Sequence, residues 1–384
     1  MTRMAKRMTG VQQSAIRRMT ARCEAVGAIN LGQGLCRVDP PRSLLSLAAD
    51  RFTGLDHSYS YAQGDAGFLD AIAAKLARDN GIIADAANQI VTTIGATGAF
   101  TATLAALFDP GDGILLIEPH YGYHLSAIKL FELIPEPVRL TGPSFLLDRD
   151  ALYAAVTERS RAIVVCTPAN PSGRRFDRTE LGYIAELARD RDLIVITDEI
   201  YEYIYYTRAP HLSPATIDGL AERTVTISGL SKSYSVPGWR LGYAMAPAEL
   251  LAPIRAAADI LMVCAPTPLQ QLGRHALGLP DSYYHELRAT YDAKRRRIAD
   301  AFASAGLAPN EPEGAYYLLI DCSALGARTG WEAADYLLDH VGIGAVPGEA
   351  FYLSDPGKPF VRACFSVTEK TIDDAVRLLE KVSL

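Results

Sequence analysis

The sequence predicts an α/β protein built on a mostly parallel sheet covered on both faces. Short apolar runs of four to six residues recur through the middle of the chain, each closed by a polar or proline-containing turn. Helical patterns, with apolar residues three and four apart, lie between them. The runs are continuously apolar, as strands buried on both faces require, and their alternation with helices argues for parallel order.

Taken in order, QIVTTI (Gln89–Ile94) reads as a strand leading into GATGAFTATLAALF, whose small residues suit a helix packed tightly on a sheet. GILLIEP, AIVVCTP, LIVITDE and RTVTIS read as further strands, and Arg178–Asp192 as an intervening amphipathic helix. After about Ser282 the pattern changes. The stretch YYHELRATYDAKRRRIADAFASAG predicts a long helix, followed by the strand GAYYLLID and then a helix, a strand and a terminal helix. A boundary near residue 280 follows, with a smaller α/β unit after it. The basic run Lys294–Arg297 reads as a solvated helix face.

Composition narrows the class. With 384 residues the chain is long enough for one large or two ordinary domains. The 38 basic against 44 acidic residues give a net charge of −6, which argues against a nucleic-acid-binding domain. Cys23, Cys36, Cys166, Cys264, Cys322 and Cys364 show no metal-like spacing and read as free thiols of a reducing compartment. The histidines likewise form no ligand spacing, and no metal is expected. No apolar run approaches the roughly 20 residues of a membrane span. The N-terminus has no acidic residue before Glu24, which an organelle transit peptide could share, but a structural N-terminal arm is the preferred reading.

In sheets of this kind ligands bind at the carboxyl ends of the strands, so the residues just after each strand matter most. Gly95, Ala96 and Thr97 follow the first strand and open a helix whose free N–H groups can hold a phosphate. Asn170 follows AIVVCTP, Asp198 and Tyr201 close LIVITDE, and Lys232 and Arg240 follow RTVTIS. Any one of these could be an ordinary cap, turn or surface residue. Four polar features at successive strand ends are not readily explained that way.

Together they form a constellation that resembles the class I/II aminotransferases, the fold-type-I family dependent on pyridoxal 5′-phosphate. SKSYSVPGWR is the most specific match, then NPSG and DEIY. INLGQG, EPHYGY, VPGEAFY and VRACFSVTE also fit. The match runs from about Ser14 to the C-terminus, which leaves little room for a transit peptide. It looks closest to the aspartate, aromatic and kynurenine-type branch. The resemblance implies a seven-stranded-type sheet in a large α/β/α cofactor domain at 43–280. It implies a smaller α/β domain from both chain ends, with residues 1–42 as arm and first part and 281–384 as the rest. It also implies a cytoplasmic homodimer with shared active sites, using an amino acid and a 2-oxo acid.

Residue roles come from the same resemblance. Lys232 would form the Schiff base and, once freed, move the proton. Asp198 would pair with the pyridine nitrogen and keep it protonated, which makes the ring an electron sink. Asn170 and Tyr201 would hydrogen-bond the ring's 3′-oxygen, Asn170 also bordering the substrate, and Tyr121 would stack on the ring, with Tyr123 a possible confusion. Gly95, Ala96, Thr97, Ser231 and Arg240 would form the phosphate cup, with Ser228 a weaker candidate. Tyr59, or Tyr61 as runner-up, would reach the partner's phosphate. His124 would orient Asp198 or be a satisfied core histidine. Arg362 would clamp the substrate α-carboxylate, with Gly34 letting the backbone approach it.

The departures lie on the substrate side, where Leu35, Cys36 and Arg37 stand in place of the family's more usual aromatic and proline. Pro237 before Gly238 is a minor change. The leading expectation is transamination by a ping-pong cycle; the alternative is a lyase or cyclase using the same cofactor. A fold-sharing regulator would carry an added DNA-binding domain, and a nicotinamide enzyme would need a G-x-G-x-x-G after its first strand.

Overall fold

The computed structural model describes residues 5–10 and 14–382. Residues 1–4 and 11–13 of the expected N-terminal arm lie outside them. Strand β1 (Ile29–Asn30) stands apart from the main sheet. That sheet is built from β2 (Ile90–Ile94), β3 (Gly113–Glu118), β4 (Ile134–Arg139), β5 (Ser160–Cys166), β6 (Ile194–Asp198), β7 (Thr224–Gly229) and β8 (Leu241–Met245). Its seven strands run in the order β2-β8-β7-β6-β5-β3-β4. β4, β3, β5, β6 and β7 are mutually parallel, and β8 is antiparallel to both of its neighbours. Mostly parallel therefore holds, with the exception beside the edge strand β2.

Burial explains the apolar runs. All six residues of β3 and all six of β7 are buried, because helices cover both faces. Val91, Ile114, Val164 and Ile196 point to one side and pack with the helices Gly95–Leu107 and Ala248–Met262. Leu115, Ile163, Val165 and Val195 point to the other and meet the helix Arg178–Asp190. That helix starts on a capping box, Asp177 with Glu180, and ends two residues before the expected Asp192.

Two strands of the main sheet escaped the sequence reading. β4 is IPEPVR, and its two prolines hide it; they are tolerated because β4 is an edge strand. β8 follows so closely on the loop after β7 that it reads as part of it.

The second unit holds β9 (Ala308–Pro309), β10 (Tyr317–Asp321), β11 (Ile343–Gly344), β12 (Val346–Pro347) and β13 (Phe360–Cys364). β12-β13-β10-β9 form an antiparallel sheet in which Arg362 on β13 faces Leu319 on β10. β1 pairs in parallel with β11, tying the first part of the chain to the last. The long helix is Asp281–Ser304 and packs on the terminal helix Glu369–Leu379. Here the basic run needs a correction. Arg296 and Arg297 face solvent and pair with Asp292, Glu369 and Asp373, but Lys294 is buried and donates to the Val367 carbonyl. A helix of this length turns one member of any four-residue run toward its neighbours.

Candidate active site

The carboxyl ends of β2, β5, β6 and β7 open on one pocket, with about 720 Å³ of empty space when its open mouth is included. Ala96 and Thr97 line one part of it, at the first turn of the helix that begins at Gly95. Among the described residues no side chain caps that helix start; the Gly95 amide donates to the Arg240 carbonyl at 3.0 Å, which leaves the amides of Ala96 and Thr97 to meet an anion. The turn is held close to the sheet: a Cβ on Gly242 of β8 would collide with the Gly95 carbonyl carbon. Gly95 itself has φ +70°, and a Cβ there would lie 2.6 Å from Arg240 Nη2. Only glycine lets the guanidinium settle against this turn. Arg240 donates to the carbonyls of Ile94 and Pro237 at 3.3 Å each, and Ser231 lines the same pocket. Two free amides, two hydroxyls and a guanidinium make a cup for a dianion such as phosphate.

Asp198, at the end of β6, lines the pocket too and is itself buried. Its Oδ2 lies 3.0 Å from His124 Nε2, and its Oδ1 accepts from the Ile200 amide at 3.3 Å. The fold thus brings His124 into contact with Asp198. Tyr121 stands edge-on to the His124 ring at 5.2 Å and stacks with Tyr123 at 5.4 Å; both tyrosines line the pocket. Burial raises the pKa of the Tyr121 phenol, of the Tyr201 phenol and of the Cys166 thiol beside them, so all three stay protonated at neutral pH.

Lys232 reaches into the pocket, half-buried, and donates to the Gly34 carbonyl at 3.3 Å. The Tyr316 hydroxyl donates to the same carbonyl at 3.3 Å. No carboxylate lies within ion-pair distance of Lys232 among the described residues. Asn170 connects the pocket to Arg362, accepting on its Oδ1 from Arg362 Nη1 at 2.9 Å. Arg362 is 0% exposed, and its Nη2 donates to the Gly32 carbonyl at 2.6 Å. Its Nε has no partner among the described residues. The guanidinium lies between the rings of Tyr317, at 4.4 Å, and Phe351, at 5.0 Å. A buried cation with only neutral partners and a spare N–H suits a carboxylate that arrives from outside.

Four candidate residues lie outside this pocket. Tyr59 and Tyr61 are 81% and 82% exposed and do not line the pocket of their own chain. Ser228 is buried behind the sheet end, donating to Glu202 Oε1 at 2.7 Å, so it is not part of the cup. Arg37 is exposed at the surface. The sequence reading missed Tyr316 and Tyr317, both buried where β10 begins, with no polar signal beside them. Only the fold links Tyr317 to the site: a Cβ on Gly34 would collide with its hydroxyl.

A doubly wound sheet whose strand ends gather an anion cup, a buried carboxylate and an unpaired lysine defines an enzyme that holds a phosphate-bearing cofactor. Comparison with known proteins gives the family. The family model described as aminotransferase class I and II matches residues 26–379. The chain is 37% identical to a probable N-succinyldiaminopimelate aminotransferase of Mycobacterium tuberculosis over 94% of each chain. It is 31% identical to the methionine aminotransferase of Escherichia coli over 95% of this chain and 94% of that one. The solved structure of N-succinyldiaminopimelate aminotransferase from Mycobacterium tuberculosis superposes with a TM-score of 0.95 at 36% identity, covering 99% of this chain and 100% of that one.

The chain belongs to the class I and II aminotransferase family. It is a pyridoxal-phosphate-dependent enzyme that moves the α-amino group of an amino acid to a 2-oxo acid in two half-reactions. The lyase or cyclase alternative is not favoured, since these relatives are named as aminotransferases.

Proposed function

We propose that the pocket at the strand ends performs the transfer, with each side chain in the role its surroundings suit. The single observation that carries this reading is that Lys232, Asp198, Asn170, Tyr201, Thr97 and Arg240 line one cavity. Pyridoxal 5′-phosphate supplies an aldehyde that takes up the amino group and a ring that withdraws electrons from the adjoining carbon. The donor set fits it: a dianion cup at one part of the pocket, a carboxylate for a ring nitrogen at another, and an amine between.

Gly95, Ala96, Thr97, Ser231 and Arg240 hold the phosphate. Asp198, oriented by His124, keeps a proton on the ring nitrogen, and Tyr121 covers the ring. Asn170 and Tyr201 hydrogen-bond the ring oxygen. Lys232 Nζ would be the amine that holds the aldehyde and, when free, the base for the substrate Cα proton; in this structure it donates to the Gly34 carbonyl. Arg362 fixes the α-carboxylate, so that one Cα bond is presented for cleavage, and Asn170 and Gly34 border that subsite.

The same reading assigns a homodimer with shared sites. Ile260 is 85% exposed and Leu261 and Val263 are half-exposed, next to Met262, which packs against Gly98 in the cofactor helix. With the exposed Tyr59 and Tyr61 they form an apolar rim suited to a second copy, whose Tyr59 would complete the phosphate cup. We also assign residues 43–280 to the large domain, and 1–42 with 281–384 to the small one. The main sheet and the β1–β11 pairing support that division. Six free cysteines support work in the cytoplasm; no helix among the described residues is long and apolar enough to cross a membrane.

The test is a half-reaction panel. Purified enzyme loaded with cofactor is mixed with single amino acids, including N-succinyldiaminopimelate, methionine, aspartate and kynurenine, and its visible absorbance is followed. At least one should bleach the band and yield the matching 2-oxo acid. No spectral change with any of them, cofactor still bound, would sink the reading.

A further inference from the structure

Tyr317 belongs to neither the cofactor cup nor any sequence motif singled out above, yet it touches both halves of the site. It leaves β10 fully buried. Its hydroxyl lies 3.0 Å from the Tyr201 hydroxyl, and the two rings meet edge to face at 5.9 Å. The face of its ring lies 4.4 Å from the Arg362 guanidinium carbon. The same hydroxyl fills the space a side chain at position 34 would need. One phenol thus contacts the residue assigned to the ring oxygen, the arginine assigned to the substrate carboxylate, and the loop that receives Lys232.

We propose that Tyr317 is a positioning residue that joins the two halves of the site, donating its phenolic hydrogen to Tyr201 while its ring carries Arg362. This rests on the reading of Tyr201 given above. A phenol has one hydrogen to give. If Tyr201 spends its hydrogen on the ring oxygen, it must accept from Tyr317, and a phenol that accepts a hydrogen bond becomes a stronger donor in turn. The ring does separate work. Stacked on a desolvated guanidinium, it fixes the plane of Arg362 by cation–π attraction without competing for its N–H groups. Among the titratable groups facing the pair are Tyr121 and Cys166 from the cofactor side, and Tyr316, Cys364 and Arg362 from the small-domain side. Burial dominates the environment of both phenols and keeps them neutral, so the pair acts through its hydrogen bond and not by ionising.

Two substitutions separate the two functions in the loaded enzyme. Tyr317→Phe removes the hydroxyl and keeps the ring; Tyr317→Leu removes both. The readouts are the midpoint of the pH titration of the cofactor's visible absorbance, the Kd of an unreactive carboxylate such as maleate, and thermal unfolding as a control. Tyr317→Phe should raise the titration midpoint by roughly half a unit, because the ring oxygen loses part of its stabilisation as an anion, and should leave the Kd within about twofold. Tyr317→Leu should raise the midpoint similarly and weaken the carboxylate by roughly tenfold. Tyr201→Phe is the reference and should raise the midpoint further than either. A raised midpoint in Tyr201→Phe beside an unchanged one in Tyr317→Phe overturns the proposal. Equal Kd values for the Phe and Leu variants overturn its second half. Unchanged midpoints in all three overturn the role given to Tyr201, and the proposal falls with it.

Discussion

Two lysines approach the end of β6 from different sides, and they are treated in opposite ways. Lys75 is 1% exposed and fully satisfied. It pairs with buried Glu202, donates to Asn80 Oδ1 at 2.8 Å and lies 3.3 Å from the Tyr243 hydroxyl. Burial favours its neutral form, but Glu202 more than offsets this and holds its pKa above the ordinary lysine range. For Glu202, burial pushes the carboxyl up, yet Lys75 and His211 outweigh it and the net pKa falls below the usual range. Lys232, only half-buried, has a 3.3 Å contact to one carbonyl and no carboxylate. A lysine whose partners are all supplied is a structural fixture. One that is held loosely in a cavity is available for chemistry.

The largest effect that sharpens the contrast is on Lys232. Its replacement by Ala should abolish the visible cofactor band and lower turnover by about 10⁴-fold or more, with the unfolding temperature of the apoprotein unchanged. Retained turnover would erase the distinction between the two lysines. Lys75→Met should do the reverse. It leaves Glu202 buried and unpaired, so urea unfolding should show a loss of about 3–5 kcal/mol, while the molecules that remain folded keep their cofactor spectrum. Because Glu202's folded pKa is lowered, the stability its carboxylate supplies is present above the ordinary carboxylate value and lost as pH falls from there through the lowered one.

Arg362 extends the comparison to a buried cation whose charge is kept for an incoming partner. Arg362→Ala should lower kcat/KM for every amino acid by roughly 10²- to 10³-fold, from the loss of charge-assisted hydrogen bonds to the α-carboxylate. Equal losses of binding for amino acids and for simple amines would argue against that role. The smallest effect concerns His120, which is buried with neither ring nitrogen hydrogen-bonded among the described residues and is pushed down to about 4 by burial and by neighbouring His124. Between its ordinary pKa near 6.5 and about 4, the unfolded chain takes up a proton that the folded one refuses. Stability should therefore fall as pH drops through that window, and His120→Phe should reduce the difference between pH 7 and pH 4.5 by roughly 2 kcal/mol.

The contrast also marks what the sequence could tell. Lys232, Asp198, Asn170 and the Gly95 turn were legible because each follows a recognisable apolar strand, and strand ends are where such sheets bind ligands. His124 was legible as a candidate, and it lies 3.0 Å from Asp198 in the fold. Lys75 and Glu202 gave no signal. They are 127 residues apart in the chain, and only the fold makes them partners. Tyr317 was hidden for a related reason, since a buried tyrosine in an apolar strand looks like any core aromatic until its hydroxyl is traced to Tyr201. The proline-bearing β4 was lost because strand propensity does not record that an edge tolerates what the centre does not.

One measurement tests the distinction between the lysines most directly. The cofactor-loaded enzyme is reduced with borohydride, which fixes the cofactor to whichever amine holds it, and the digested protein is mapped by mass spectrometry. A single adduct on Lys232, with Lys75 unmodified, is the result expected. An adduct on Lys75 or on any other lysine in place of Lys232 would contradict the assignment of the site.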